Sequence, residues 1–142
     1  MDNNQSITTT FIVRKIIFNN YLKNGNFQFK PEISAGVIKL ADNEWETSVN
    51  VKVLNKEETP FPFDLDVVVS LVTKFNGQMP GKDELIQYLK FGSLNILFPY
   101  VRSVVTNVSS AAMVAPLLLP LMDLNQFAKN ITIPGLEDLS QR

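Results

Sequence analysis

The stretch Trp45-Glu46-Thr47-Ser48-Val49-Asn50-Val51-Lys52-Val53 decides the fold class. Trp45, Thr47, Val49, Val51 and Val53 share one parity, and Glu46, Ser48, Asn50 and Lys52 the other. Successive side chains of an extended chain project to opposite faces, so this period of two predicts a half-buried antiparallel strand. Asn55-Lys56-Glu57-Glu58 supplies the reversal. Phe61, Phe63, Leu65, Val67, Val69 and Leu71 then alternate with Pro62, Asp64, Asp66 and Ser70. This predicts a second amphipathic strand with Asp64 and Asp66 on its wet face.

Working outward, Thr8 to Phe18 is rich in β-branched and aromatic residues on both parities, which predicts a strand covered on both faces. Asn24-Gly25-Asn26 is a turn, followed by an apolar segment with Phe27, Phe29, Ile33, Val37 and Ile38. Pro31 has no N–H for a ladder, so that segment is confined to an edge or irregular strand. Past Asn76-Gly77 and Pro80-Gly81 the period changes. Asp83 is placed as the N-cap of a helix Glu84–Phe91. Leu94, Leu97, Phe98, Val101, Val104, Val105 and Val108 form an i, i+3, i+4 stripe, with Pro99 inside it either restarting a helix near Phe98 or kinking one. Ala111–Met122 is proline-interrupted and reads as an extended apolar loop; Asp123 caps a short helix reaching Asn130. Strands followed by helices predict an α+β fold, an antiparallel sheet with helices on one side, in a single domain 1–142 whose ends, 1–8 and 134–142, are flexible.

The chain has 142 residues and 16.0 kDa, with 13 basic and 14 acidic side chains, a balance that offers no charge excess to a nucleic-acid backbone. It contains neither cysteine nor histidine, which removes thiol chemistry, Ser-His triads, disulfides and the usual zinc ligands. No metal or cofactor is expected, and an enzyme ranks last among the readings. Gly81-Lys82 lacks the upstream glycine and the Ser/Thr of a phosphate loop and reads as a turn. The opening residues lack the basic and apolar regions of a signal peptide, so a cytoplasmic location is expected. Ser103 to Met122 carries no charge, but Thr106, Asn107, Ser109, Ser110, Pro116 and Pro120 interrupt it, which argues against membrane insertion. Ten phenylalanines stand out. Phe27, Phe29, Phe61, Phe63, Phe98 and Phe127 read each more readily as core than as an exposed set, whereas the apolar loop fits a subunit interface equally with an apolar-ligand groove.

Four segments together resemble one family, the SecB-type protein-export chaperones. Asn95-Ile96-Leu97-Phe98-Pro99-Tyr100-Val101-Arg102 is similar to the family's hallmark helix. Glu57-Glu58-Thr59-Pro60-Phe61, Leu40-Ala41-Asp42 with Trp45-Glu46, and Phe29-Lys30-Pro31-Glu32 follow the family's pattern and order over roughly Thr9 to Ala128. The resemblance implies a four-stranded antiparallel sheet with two helices, and a homotetramer, a dimer of dimers, held through Leu94, Leu97, Phe98, Val101, Arg102 and Val105. It implies that unfolded polypeptides bind an apolar groove of Phe29, Ile33, Phe61, Leu117, Leu118, Leu119 and Phe127. Family members that dock the SecA translocation motor carry acids on the outer sheet face. This chain has Asn20 and Asn24 at two of those positions and keeps Asp64, so the resemblance leaves the motor open beside another partner such as a toxin–antitoxin pair. An oligomeric adaptor for one folded partner and a carrier of a small apolar ligand are the competing classes.

Overall fold

The computed structural model describes residues 5–23, 25–112, 114, 117–119, 123–134 and 136. Four strands, β1 (Gln5–Asn20), β2 (Glu32–Ala41), β3 (Glu44–Val53) and β4 (Phe63–Gly77), pair antiparallel in the order β1-β4-β3-β2. Helical structure follows: α1 (Lys82–Gln87), a π turn (Tyr88–Gly92), α2 (Ser93–Ala111) and, after the connector, α3 (Leu124–Ala128). The fold is α+β, as the order of periodicities predicts.

The alternation of β3 and β4 sets the inner face. Val49, Val51 and Val53 stand beside Val69, Val67 and Leu65 in the register, and all six are buried. Burying each such side chain contributes about 1.5–3 kcal/mol. Pro31 ends where β2 begins, and β2 is an edge strand. β1 starts at Gln5, inside the stretch expected to be flexible, because Gln5 to Thr8 pair with Gly77 to Lys74. Of the other expected tail, only Pro134 and Leu136 lie within the described residues up to Arg142.

The helical run departs from expectation in three ways. It starts one residue before Asp83, with Gly81 as N-cap in extended conformation and the Gly81 carbonyl accepting from Leu85 N–H. It does not break at Phe91 or restart at Phe98, and Pro99 lies inside α2. The irregularity is instead the π turn, whose widened ring leaves carbonyls in need of donors. Ser93 Oγ donates to Leu89 O at 2.5 Å and Asn95 Nδ2 to Phe91 O at 2.8 Å. A Cβ on Gly92 would come within 3.1 Å of the Tyr88 ring, so glycine makes room for Tyr88 to pack edge-on against Phe75.

The helix stripe is spent within the chain. Leu94, Leu97, Phe98, Val101 and Val105, expected at a subunit interface, are buried in the core where α2 lies across β3 and β4. An amphipathic stripe records that a face is buried, not against which molecule. Arg102 is half-buried, and the outward face of α2 exposes Ile96 and Tyr100 instead.

Two face assignments also change. β1 is not covered on both sides: Ile7, Phe11, Val13, Ile16 and Ile17 are all exposed, because α2 packs over β3 and β4 and β1 forms the sheet edge. Asp66 is not on a wet face but buried, as is Glu46. A bulge between Val13 and Lys15 gives β1 an extra residue, Arg14. Arg14 spans β4 to hold Glu46 through both carboxylate oxygens, at 2.7 and 3.0 Å. Lys15 pairs with Asp66 at 2.6 Å, and Asn50 Nδ2 donates to the same carboxylate at 2.7 Å. Long side chains from the edge strand thus roof the outer face of the central strand.

Candidate functional site

Phenylalanines line one end of the inner face. Phe18 and Phe63 have ring centroids 4.8 Å apart, Phe63 meets Phe61 edge-on at 4.8 Å, and Phe61 reaches Phe27 at 6.3 Å and Phe29 at 6.1 Å. Phe61 is therefore the hub, buried at the junction of three chain segments. Local hydrogen bonds fix it there. Phe61 N–H donates to Asn55 Oδ1 at 3.1 Å, and Tyr21 N–H donates to Pro62 O at 3.0 Å, tying the β1–β2 connection to the start of β4.

Beside this hub opens a cavity of about 550 Å³, walled by Leu22, Phe27, Phe29, Phe61, Phe63 and Leu117, with Lys23 at its rim. Leu22 is 83% exposed and sits at φ +56°, in the left-handed region that a branched side chain rarely adopts. Its N–H donates to Asn20 Oδ1 at 2.9 Å, which stabilises the turn that thrusts it out. Sequence reading missed Leu22; its signal was a lone large apolar residue within a polar turn.

The other expected client residues fall into separate hollows. Ile33 and Phe127 face one of about 240 Å³ between β2 and α3, with Ala35 and Ile131. Leu118 and Leu119 border one of about 260 Å³ against Pro99 and Arg102 of α2. A fourth, of about 270 Å³, lies between Phe27, Lys30, Glu58 and Pro60. Phe29, Phe61 and Leu117 are thus brought together, while Ile33 with Phe127 and Leu118 with Leu119 lie apart from them. Leu118 is 72% exposed and Leu119 only 1%, so adjacent residues of the loop serve opposite purposes.

Hydroxyl groups of α2 position that strap. Thr106 Oγ1 donates to Leu117 O at 2.8 Å, and Leu117 N–H donates to Ser109 Oγ at 2.8 Å. Two of the polar residues that interrupt the apolar run in sequence, Thr106 and Ser109, bind the connector in space. At the next element, Asp123 Oδ1 accepts Asn125 N–H at 3.1 Å and caps α3, as expected.

On the outer face, Asp64 accepts from Tyr21 Oη at 2.5 Å and from Asn55 N–H at 2.8 Å, and the phenol of Tyr21 is raised by the hydrogen bond to that carboxylate. Asn20 lies in the Leu22 turn, and Asn24 lies outside the described residues. The Arg14 hydrogen bond holds the Glu46 carboxyl below the usual range despite its burial. Burial pushes Asp66 up, but Lys15 and Asn50 outweigh it and leave that carboxyl lowered as well. No described helix is long and apolar enough to cross a membrane.

A search of curated proteins returned no match. Among solved structures, the chain is similar to a Mycobacterium tuberculosis SecB-like chaperone in complex with a ChAD peptide from the HigA1 antitoxin. The TM-score is 0.62 at 15% identity, over 84% of this chain and 88% of that one. It is also similar to a Streptococcus agalactiae protein of unknown function, with a TM-score of 0.55 at 11% identity over 82% of this chain and 98% of that one. At such identities the likeness is one of fold. The family model described as preprotein translocase subunit SecB matches residues 11–131, which takes in β1 from Phe11 onward, β2 to β4, the long helical run and α3. The chain belongs to the SecB family.

Proposed function

We infer that the chain is an ATP-independent holdase that binds apolar stretches of unfolded polypeptide and works as a homotetramer in the cytoplasm. The observation that carries this reading is the phenylalanine hub opening into a cavity of about 550 Å³ whose rim displays Leu22 to solvent. Unfolded chains expose aromatic and aliphatic segments, and several shallow apolar hollows on each copy bind them by multivalency. The row Ile7, Phe11, Val13 and Ile16, exposed along an edge strand and continued by Tyr100 stacked on Phe11 at 3.9 Å, favours self-association. A second reading, a chaperone dedicated to one partner, is favoured by the antitoxin peptide bound to the mycobacterial relative of the fold. It is also favoured by the self-paired acids of the outer face, which leave a basic motor little to bind.

The test is aggregation of a chemically unfolded protein, followed by light scattering with and without the chain and in the absence of ATP. Protection at stoichiometric amounts, lost in Phe29→Asp, is the expected result. No protection of any unfolded substrate, together with tight binding to one folded protein, would replace the holdase with an adaptor.

A further inference from the structure

The hollows are apolar, but the charges around them are unequal. Lys23 rims the one beside the phenylalanine hub, Lys30 lines the one beside Phe27, and Arg102 lines the one beneath Leu118. Among the described residues, Glu58 is the one acid lining any of the four. Arg102 and Lys30 have no hydrogen-bond or ion-pair partner among the described residues. Lys23 meets only the amide oxygen of Asn55, at 3.1 Å.

Three other acids of the neighbouring segments are already engaged. Glu32 pairs with Lys56 at 3.1 Å, Asp64 is held by Tyr21 and Asn55 and alternates to the other sheet face from Phe63, and Asp123 caps α3. Among the described residues, three cations against one acid, with Glu58 offsetting Lys30, leave the hollows with a net positive charge in a chain whose overall balance is −1.

Resting on the holdase reading, we propose that the segments this chain prefers are apolar stretches flanked by aspartate or glutamate, and that Lys23, Lys30 and Arg102 set this preference. Apolar side chains of the client fill the hollows while its acids meet the three cations. Acid-flanked segments thereby gain on both binding and encounter rate, and lysine-flanked ones are repelled. Exposed pairs contribute roughly two- to fivefold each in affinity, so two engaged pairs give about tenfold at low salt.

The experiment is a fluorescence-anisotropy titration of the full chain with three synthetic peptides. Two share a Phe- and Leu-rich centre, one flanked by Asp and one by Lys; the third keeps the Asp flanks and replaces the apolar residues with Ser. Expected are binding of the Asp-flanked apolar peptide about tenfold tighter than its Lys twin, a gap that closes as salt rises, and no binding of the Ser peptide. The triple variant Lys23→Gln, Lys30→Gln, Arg102→Gln should erase the gap while still binding both apolar peptides. Equal or tighter binding of the Lys-flanked peptide would overturn the charge preference and leave the holdase intact. Equal binding of the Ser peptide would reduce the effect to bulk attraction and overturn it too. Failure of both apolar peptides to bind would remove the holdase reading and this proposal with it. Should the triple variant misfold, the salt titration decides on the unmodified protein: binding of the two apolar peptides must move in opposite directions, and parallel curves refute the proposal.

Discussion

Leu118 and Leu119 are chemically identical neighbours that the structure assigns to different energies. Leu119 is 1% exposed and sits in the core cluster with α2. Replacing it with alanine removes its transfer energy and leaves a cavity, a cost of about 2–5 kcal/mol. Against a total stability of about 5–15 kcal/mol this is severe. With a urea slope of about 1–3 kcal/mol/M, the midpoint falls by about 1–3 M. Leu118, at 72% exposure, has few contacts to lose, so Leu118→Asp should change stability by no more than about 0.5 kcal/mol. On the holdase reading its effect should fall on client holding instead. A client covering Leu118 gains about 1–2 kcal/mol from the exposed part of that side chain, and a carboxylate forfeits it. Urea unfolding separates the first effect, and suppression of aggregation at limiting chain separates the second. An unchanged midpoint in Leu119→Ala, or an equal drop in Leu118→Asp, would refute the placement of the strap. A folded Leu118→Asp that holds clients as well as the parent would take this hollow out of the client surface.

Pro99 lies within a continuous helix and denies the Asn95 carbonyl its usual donor, so Pro99→Ala should raise stability by about 1–3 kcal/mol, read from thermal or urea unfolding. Glu46 and Asp66 have folded pKa values below their unfolded ones, so the stability they contribute is present above the ordinary carboxylate range and is lost as pH falls through the folded values. The double variant Glu46→Gln, Asp66→Asn should accordingly lose less stability than the parent between about pH 5 and 3; parallel pH profiles would contradict this. Val13→Asp with Ile16→Asp places charge in the exposed row of β1, and light scattering should report smaller particles with an unchanged circular dichroism spectrum.

What could be read from the chain, and what could not, divides by range. The period of two in 45–53 and 61–71, the edge position imposed by Pro31 and the Asp123 cap are local consequences of side-chain chemistry, and the structure carries each of them. The burial of Glu46 and Asp66 was not legible, because alternation assigns a face but not what a neighbour brings across it. Arg14 lies 32 positions from Glu46, and its reach depends on a bulge with no signature of its own. The π turn escaped for a similar reason: Ser93 and Asn95 satisfy its carbonyls, yet in sequence they read only as polar positions of an amphipathic helix. Phe29 and Phe61, expected at a client site, do converge, whereas the loop leucines could not be sorted into wall and rim without knowing that Thr106 and Ser109 pin Leu117.

The two faces of the sheet therefore differ in kind. On the outer face the carboxylates of Glu46 and Asp66 are met by Arg14 and Lys15, and that of Asp64 by Tyr21 and Asn55. A basic partner arriving there must displace these contacts before it gains any of its own, and exposed charge pairs return too little for that exchange. Asn20, expected on that face, instead pairs with Phe63 and lines the phenylalanine cavity, so an acid placed at 20 would leave the Arg14 and Lys15 pairs untouched. The inner face has the opposite character. Its β1 row stays exposed because α2 packs mainly over the central strands and meets β1 through Tyr100 on Phe11, and its phenylalanine end opens into a cavity walled in part by Leu117, which two hydroxyl groups of α2 pin in place. On the proposed holdase reading, apolar surface kept uncovered on one side and charge kept satisfied on the other would direct association to the inner face, whether the arriving chain is another copy or an unfolded client.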